Sequence, residues 1–152
     1  MKRTQRTGQS NDQYGRFVRD LRLFNVALVR CASQIDHSAY FELHKREGNA
    51  SRNLSAQYGL ARVAADFFDA YADFKLEITG KKKKQKVLLI KCRYEAHIHL
   101  SRKFDRSCAE RFANTEFRVV LWPYFREFVN DLSARMWIPP ITIPLSVAAH
   151  SN

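Results

Sequence analysis

The residues with most scope for chemistry are two histidines, His97 and His99, in "RYEAHIHLS". Alternation along a strand puts both on one face, with Glu95 beside them. A His-x-His pair on a strand can chelate a metal, but a stable site needs further ligands at fixed distances. Spacing identifies no third ligand, so the pair reads as part of a solvated sheet face and no metal is expected. Cys31, Cys92 and Cys108 are odd in number, widely separated, and outside any CxxC pair. That argues against a disulfide framework or a zinc site, and for buried small thiols. No GxSxG, P-loop or GxGxxG motif is present, and only five glycines are available for phosphate-cradling loops. No catalytic constellation and no cofactor are expected; function must lie in binding.

The bulk feature that bears on binding is charge. The 152-residue chain carries a formal charge of +11, which suits nucleic acid, anionic lipid or an acidic protein as partner. Its length fits one domain. No apolar run reaches the ~20 residues of a membrane span, so no membrane insertion is expected. The opening "MKRTQRTGQSNDQYG" is basic and polar, with no apolar h-region of a secretory signal. It is expected to form a flexible arm over 1–15, ahead of a domain over 16–147, in a cytoplasmic protein.

Strands must position the histidines. Residues 17–35, "FVRDLRLFNVALVRCASQI", read as a long strand, with Leu21, Leu23, Ala27, Val29, Cys31 and Ile35 on one parity. "AYFELHKRE" reads as a short strand with Ala39, Phe41 and Leu43 on one face, and "GNASRNLSAQYG" as turn and loop. "FFDAYADFKLEITG" alternates cleanly: Phe68, Ala70, Ala72, Phe74, Leu76 and Ile78 share a face, and Asp69, Asp73, Lys75 and Glu77 take the other. "KVLLIKCRYEAHIHLS" repeats the pattern, with Lys91, Arg93, Glu95, His97 and His99 on its polar face. The connector "TGKKKKQK" makes the two an antiparallel hairpin with one wet face. That face combines Phe67 and Tyr71 with Lys75, Lys91 and Arg93, so a single-stranded nucleic acid is one candidate partner, although no RNP-type motif is present.

From about residue 105 the period becomes helical. Asp105 or Ser107 is expected to cap a short helix through "CAERFAN". A longer helix follows, with Pro123 near its first turn and Tyr124, Phe128 and Leu132 at i, i+4 and i+8. Pro139–Pro140 ends it, and "ITIPL" is an extended apolar segment. Strands first and helices last predict an α+β fold: a four-stranded antiparallel sheet with a short and a long C-terminal helix packed on one face.

The closing third, "FANTEFRVVLWPYFREFVNDLSARMWIPPITIPL", resembles the SecB-like protein-export chaperone family. The resemblance is carried by "WPYFRE", by "ARM" and by the proline-led ending "PPITIPL". It implies an ATP-independent holdase that assembles as a homotetramer, a dimer of dimers, and binds non-native polypeptides or preproteins in apolar grooves. Some members deliver preproteins to SecA for export, and others protect an antitoxin in a toxin–antitoxin–chaperone system. Trp122, Tyr124, Phe125, Trp137, Ile138, Ile141 and Ile143 would line the groove. The sheet face with Lys75, Lys91, Arg93 and His97 would dock a partner. Members that dock on SecA carry an acidic outer face, whereas this one is basic, which favours a dedicated antitoxin or an acidic protein instead.

Overall fold

A computed structural model of the chain describes residues 4–45, 50–80 and 85–144, with side chains from residue 11 onward. The elements are α1 (Thr4–Asp20), β1 (Leu21–Ile35), α2 (His37–His44), β2 (Ala50–Val63), β3 (Phe67–Gly80), β4 (Lys86–Leu100), α3 (Arg106–Asn114) and α4 (Glu116–Arg135). The strands form one antiparallel sheet in the order β1-β4-β3-β2. The expected α+β architecture is therefore present, with β3 and β4 at the centre. The lysine run at 81–84 and the tail from 145 lie outside the described residues.

The alternation of β3 and β4 sets the two faces. Phe68, Ala70, Ala72, Phe74, Leu76 and Ile78 on β3, with Leu88, Ile90, Cys92, Tyr94, Ala96 and Ile98 on β4, are all buried on the inner face. The helices cover that face because it is the only large apolar surface the strands offer. Phe125 of α4 stacks on Phe74 at 4.5 Å, and Trp122 lies 5.9 Å from the same ring. The buried stripe of α4 runs through Phe117, Leu121, Phe125, Val129 and Ser133, a spacing of four. Tyr124, Phe128 and Leu132 form its flank rather than its centre.

Three sequence expectations are corrected. First, residues 39–45, the described part of the segment expected as a short strand, are not a strand. The Asp36 carboxylate caps α2, accepting from the Ala39 N–H at 2.9 Å, and Tyr40, on the opposite parity to Ala39, Phe41 and Leu43, is the residue that is buried. Second, the segment expected as turn and loop over 48–59 contains most of β2. Its Ser, Asn, Gln and Gly content reflects an edge strand with a wet outer face, and pairing with β3 supplies the order that composition lacks. Gly59 lies opposite Tyr71, where a Cβ would come within 2.8 Å of the Tyr71 hydroxyl and force the ring to shift. Third, Pro123 lies well inside α4, about two turns from Glu116. The carbonyl it leaves without a helical donor is that of Val119, whose side chain is exposed, so water can reach this side of the helix.

The N-terminal region also differs from the expected arm. Residues 4–20 form α1, which runs through position 16 without a break. Tyr14 and Phe17, three apart on one face, are buried; Phe17 packs against Phe68, Phe104 and Phe112, and Tyr14 stacks on Phe17. The Tyr14 hydroxyl donates to the Glu116 carboxylate, and the Arg111 guanidinium lies 3.9 Å over the Tyr14 ring. Polar residues around two aromatics hide such a helix from periodicity. At its end, Asp20 hands over directly to β1, so residues 17–20 are helix and not strand.

Candidate functional site

The site is built on the edge strand β1 and the flank of α4. Register shifts between Leu23 and Asn25 and between Leu28 and Arg30 mark two β-bulges. Each bulge reverses the parity of the residues after it. Leu21, Leu23, Val26, Leu28, Cys31 and Ile35 thus point to the inner face, opposite Leu100, Ile98, Ala96, Tyr94, Cys92 and Leu88. The helices stop short of this strand, which leaves Leu23 and Leu28 exposed. Between it and α4 lies a cleft of about 390 Å³ lined by Leu28, Cys31, Ser33, Phe128 and Leu132, with Asp131 and Arg135 at its rim.

The cleft has a rigid back wall. The Tyr94 hydroxyl donates to the Tyr124 carbonyl at 3.3 Å, and the Tyr94 ring contacts those of Tyr124 and Phe128. Burial pushes the Tyr94 phenol well above its ordinary pKa, so it stays a donor. Tyr124 is 44% exposed and continues the apolar surface along the helix. Sequence periodicity singles out Tyr124, Phe128 and Leu132 as one stripe; the β1 half of the cleft is hidden because the bulges scramble its alternation.

At the far end of α4 the chain turns sharply. The Ile138 N–H donates to the Ser133 carbonyl at 3.2 Å and the Trp137 N–H to the Ala134 carbonyl at 3.1 Å, the pairing of a Schellman motif. Trp137 occupies the left-handed position with φ of 57°, a place normally held by glycine. Its side chain is 88% exposed. A large aromatic group in strained backbone and open to water is a feature that folding alone does not favour.

The expected groove residues divide on this basis. Tyr124 and Trp137 are exposed, whereas Trp122, Phe125, Ile138, Ile141 and Ile143 are buried within the chain. The segment after Pro139–Pro140 folds back along α4, and the Trp122 indole N–H donates to the Pro144 carbonyl at 2.8 Å. The three isoleucines form the underside of this strip, and its exposed Pro139, Pro140 and Pro144 form the outside.

The opposite face of the sheet is polar and basic. Arg93 grips Asp73 through two hydrogen bonds of 2.8 and 2.5 Å, which hold the Asp73 carboxyl below its ordinary pKa. Lys75 pairs with Glu77 at 3.0 Å, and Lys91 is exposed. His97 is occupied: its Nδ1 meets Asp69, and its Nε2 lies 3.0 Å from His99 Nε2. Of the four residues expected to dock a partner, Lys75, Lys91 and Arg93 adjoin one another, and His97 lies further along the face, engaged by its neighbours. Among the described residues no group of three or more His, Cys, Asp or Glu is placed to hold a metal. No helix among them is long and apolar enough to cross a membrane.

No protein-family model matches the chain. Among solved structures it is similar to a SecB-like chaperone of Mycobacterium tuberculosis, Rv1957, solved in complex with a ChAD peptide from the Rv1956 HigA1 antitoxin. The TM-score is 0.70 at 18% identity, over 90% of this chain and 98% of that one. A protein of unknown function from Streptococcus agalactiae aligns at TM-score 0.48 and 11% identity, over 82% of this chain and 96% of that one. The sheet order, the sequence of elements and the first of these likenesses agree: the chain has the fold of a SecB-like chaperone.

Proposed function

We propose that the chain is an ATP-independent holdase whose clients lie in the cleft between β1 and α4. The observation that carries this reading is the cleft itself, an apolar surface of Leu28, Phe128 and Leu132 left open beside an unpaired strand edge. An extended segment of a non-native polypeptide gains main-chain hydrogen bonds from such an edge and side-chain contacts from the apolar wall, with little demand on sequence. Tyr124 and Trp137 extend that surface at two points of α4. Trp122, Phe125, Ile138, Ile141 and Ile143 hold the helix and crossover strip in place from behind. The related fold of a chaperone solved with an antitoxin peptide supports a polypeptide ligand. It also favours an antitoxin over a preprotein bound for SecA, in line with the basic sheet face.

The decisive test is aggregation of a chemically denatured model protein. Excess chain should suppress light scattering, without nucleotide, and client should co-elute with it. Unchanged scattering and no co-elution would sink the reading. Light scattering of the chain alone should give a mass near four copies, as expected of a homotetramer in the cytoplasm; a monomer would remove that part of the proposal.

A further inference from the structure

The outer sheet face carries a second feature, on the side away from the client cleft. Across its middle, Arg30 of β1 stands directly opposite Arg93 of β4, and in the next row Lys91 of β4 stands opposite Lys75 of β3. Like charges in direct cross-strand register destabilise a sheet. Two such pairs in adjacent rows are a local conflict that folding would not select, and such conflicts mark functional positions. Around them lies a trough of about 510 Å³ that runs between the edge strands, where Ala32 and Ser55 keep its flanks low. Four cations line it against one acid, Asp73, and Arg93 already engages that acid. Glu77 outside the rim is matched by Lys75 and Lys86, and Glu95 stands one row away beside Tyr71. Arg30 and Lys91 make no ion pair among the described residues.

We infer that this trough docks an acidic peptide segment of a partner protein, with carboxylates seated on Arg30, Lys91 and Lys75. Arg30 and Lys75 lie on strands two spacings apart and one row apart along them, about 12 Å, a distance that four residues of extended peptide span. Nucleic acid fits less well. The rings that would stack bases are already covered: Arg93 lies 4.4 Å over Tyr71, Arg62 lies 4.9 Å over Phe67, and His97 packs 4.9 Å from Phe67. A second copy of a chain with a charge of +11 would bring repulsion rather than complementarity. The inference is independent of the holdase reading, because the two surfaces lie on opposite faces of the sheet.

The test is fluorescence anisotropy with a labelled peptide of alternating Glu and Ser, and a Lys-for-Glu version as control. The Glu peptide should bind with an affinity that falls as salt rises, and the Lys peptide should not bind. Arg30→Ala with Lys91→Ala should weaken binding by about tenfold or more, whereas Arg19→Ala with Lys103→Ala, which removes the same charge elsewhere, should change it by less than about twofold. Lys91→Glu, which pairs with Lys75 and so protects the fold, should also abolish binding. The trough variants should still suppress client aggregation, which separates this proposal from the holdase reading. Absence of binding at low salt overturns the inference, as does equal loss in both double variants. So does a single-stranded oligonucleotide that displaces the peptide and depends on the same residues.

Discussion

Lys75 and Lys91 face each other directly across β3 and β4 on the outer sheet face. Replacing one charge there should improve the fold. Lys91→Glu is expected to stabilise the chain by ~0.2–1 kcal/mol, the usual range for an opposite-charge cross-strand pair. A rise in the urea midpoint at low ionic strength that fades in high salt checks it. An unchanged or lower midpoint would mean that the two ammonium groups already avoid each other.

Trp137 presents the same trade at the end of α4. Glycine relieves left-handed backbone, so Trp137→Gly should stabilise the chain by about 1 kcal/mol. The same change removes an exposed indole and should weaken suppression of client aggregation. A stabilised variant with undiminished activity would show that the indole does not touch clients.

The cleft predicts a loss of activity without a loss of fold. Leu28→Asp and Tyr124→Ala alter exposed groups, so each should change stability by no more than about 1 kcal/mol. Each places charge or empty space where a client side chain would sit. Together they should raise the amount of chain needed for half-suppression by about tenfold, the equivalent of about 1.4 kcal/mol. Circular dichroism and the aggregation assay, run on the same samples, separate the two effects.

Trp122 ties the crossover strip to α4 through its indole N–H and the Pro144 carbonyl at 2.8 Å. Trp122→Phe should cost about 1 kcal/mol, the net value of such a bond, and Trp122→Ala about 3–5 kcal/mol because a buried ring is lost. A Trp122→Phe variant as stable as the unaltered chain in a urea titration would argue that the bond contributes nothing.

The thiols should differ in reactivity. Burial, with the Cys31 sulfur nearby, pushes Cys92 up to about 12, and burial also raises Cys108, while Cys31 is exposed. At mildly alkaline pH a disulfide reagent should titrate one thiol rapidly, and Cys31→Ser should abolish that phase.

Acid should weaken the helix cap at α3. The Ser107 backbone N–H donates to Asp105 at 2.9 Å and holds its carboxyl below the ordinary 3.8. A carboxyl depressed in the folded state contributes stability that is complete above its unfolded value. That contribution is lost as pH falls through the lower folded value. The loss should therefore appear below about pH 4, and Asp105→Ala should flatten the pH dependence in that window.

The primary structure determined the elements whose physics is local. Alternation in β3 and β4 identified both faces of the sheet, because period two is a direct consequence of strand geometry. The pattern at 105–114 announced a capped helix for the same reason. Motif resemblance at the C-terminus pointed to the fold that the structure then displays. What only tertiary structure decided was whatever depends on a distant partner. β2 is ordered by β3 and not by its own composition; α2 exists because Asp36 caps it and Tyr40 finds the core. α1 is held by Phe68, Phe104 and Phe112, residues far away in the chain. The two bulges in β1, invisible to any parity rule, swing Val26 and Leu28 to the inner face and return Cys31 to it, and so create the cleft beside α4. Packing likewise sorted the C-terminal aromatics and isoleucines: a side chain's exposure depends on which neighbours reach it, and the order of residues alone does not encode that reach.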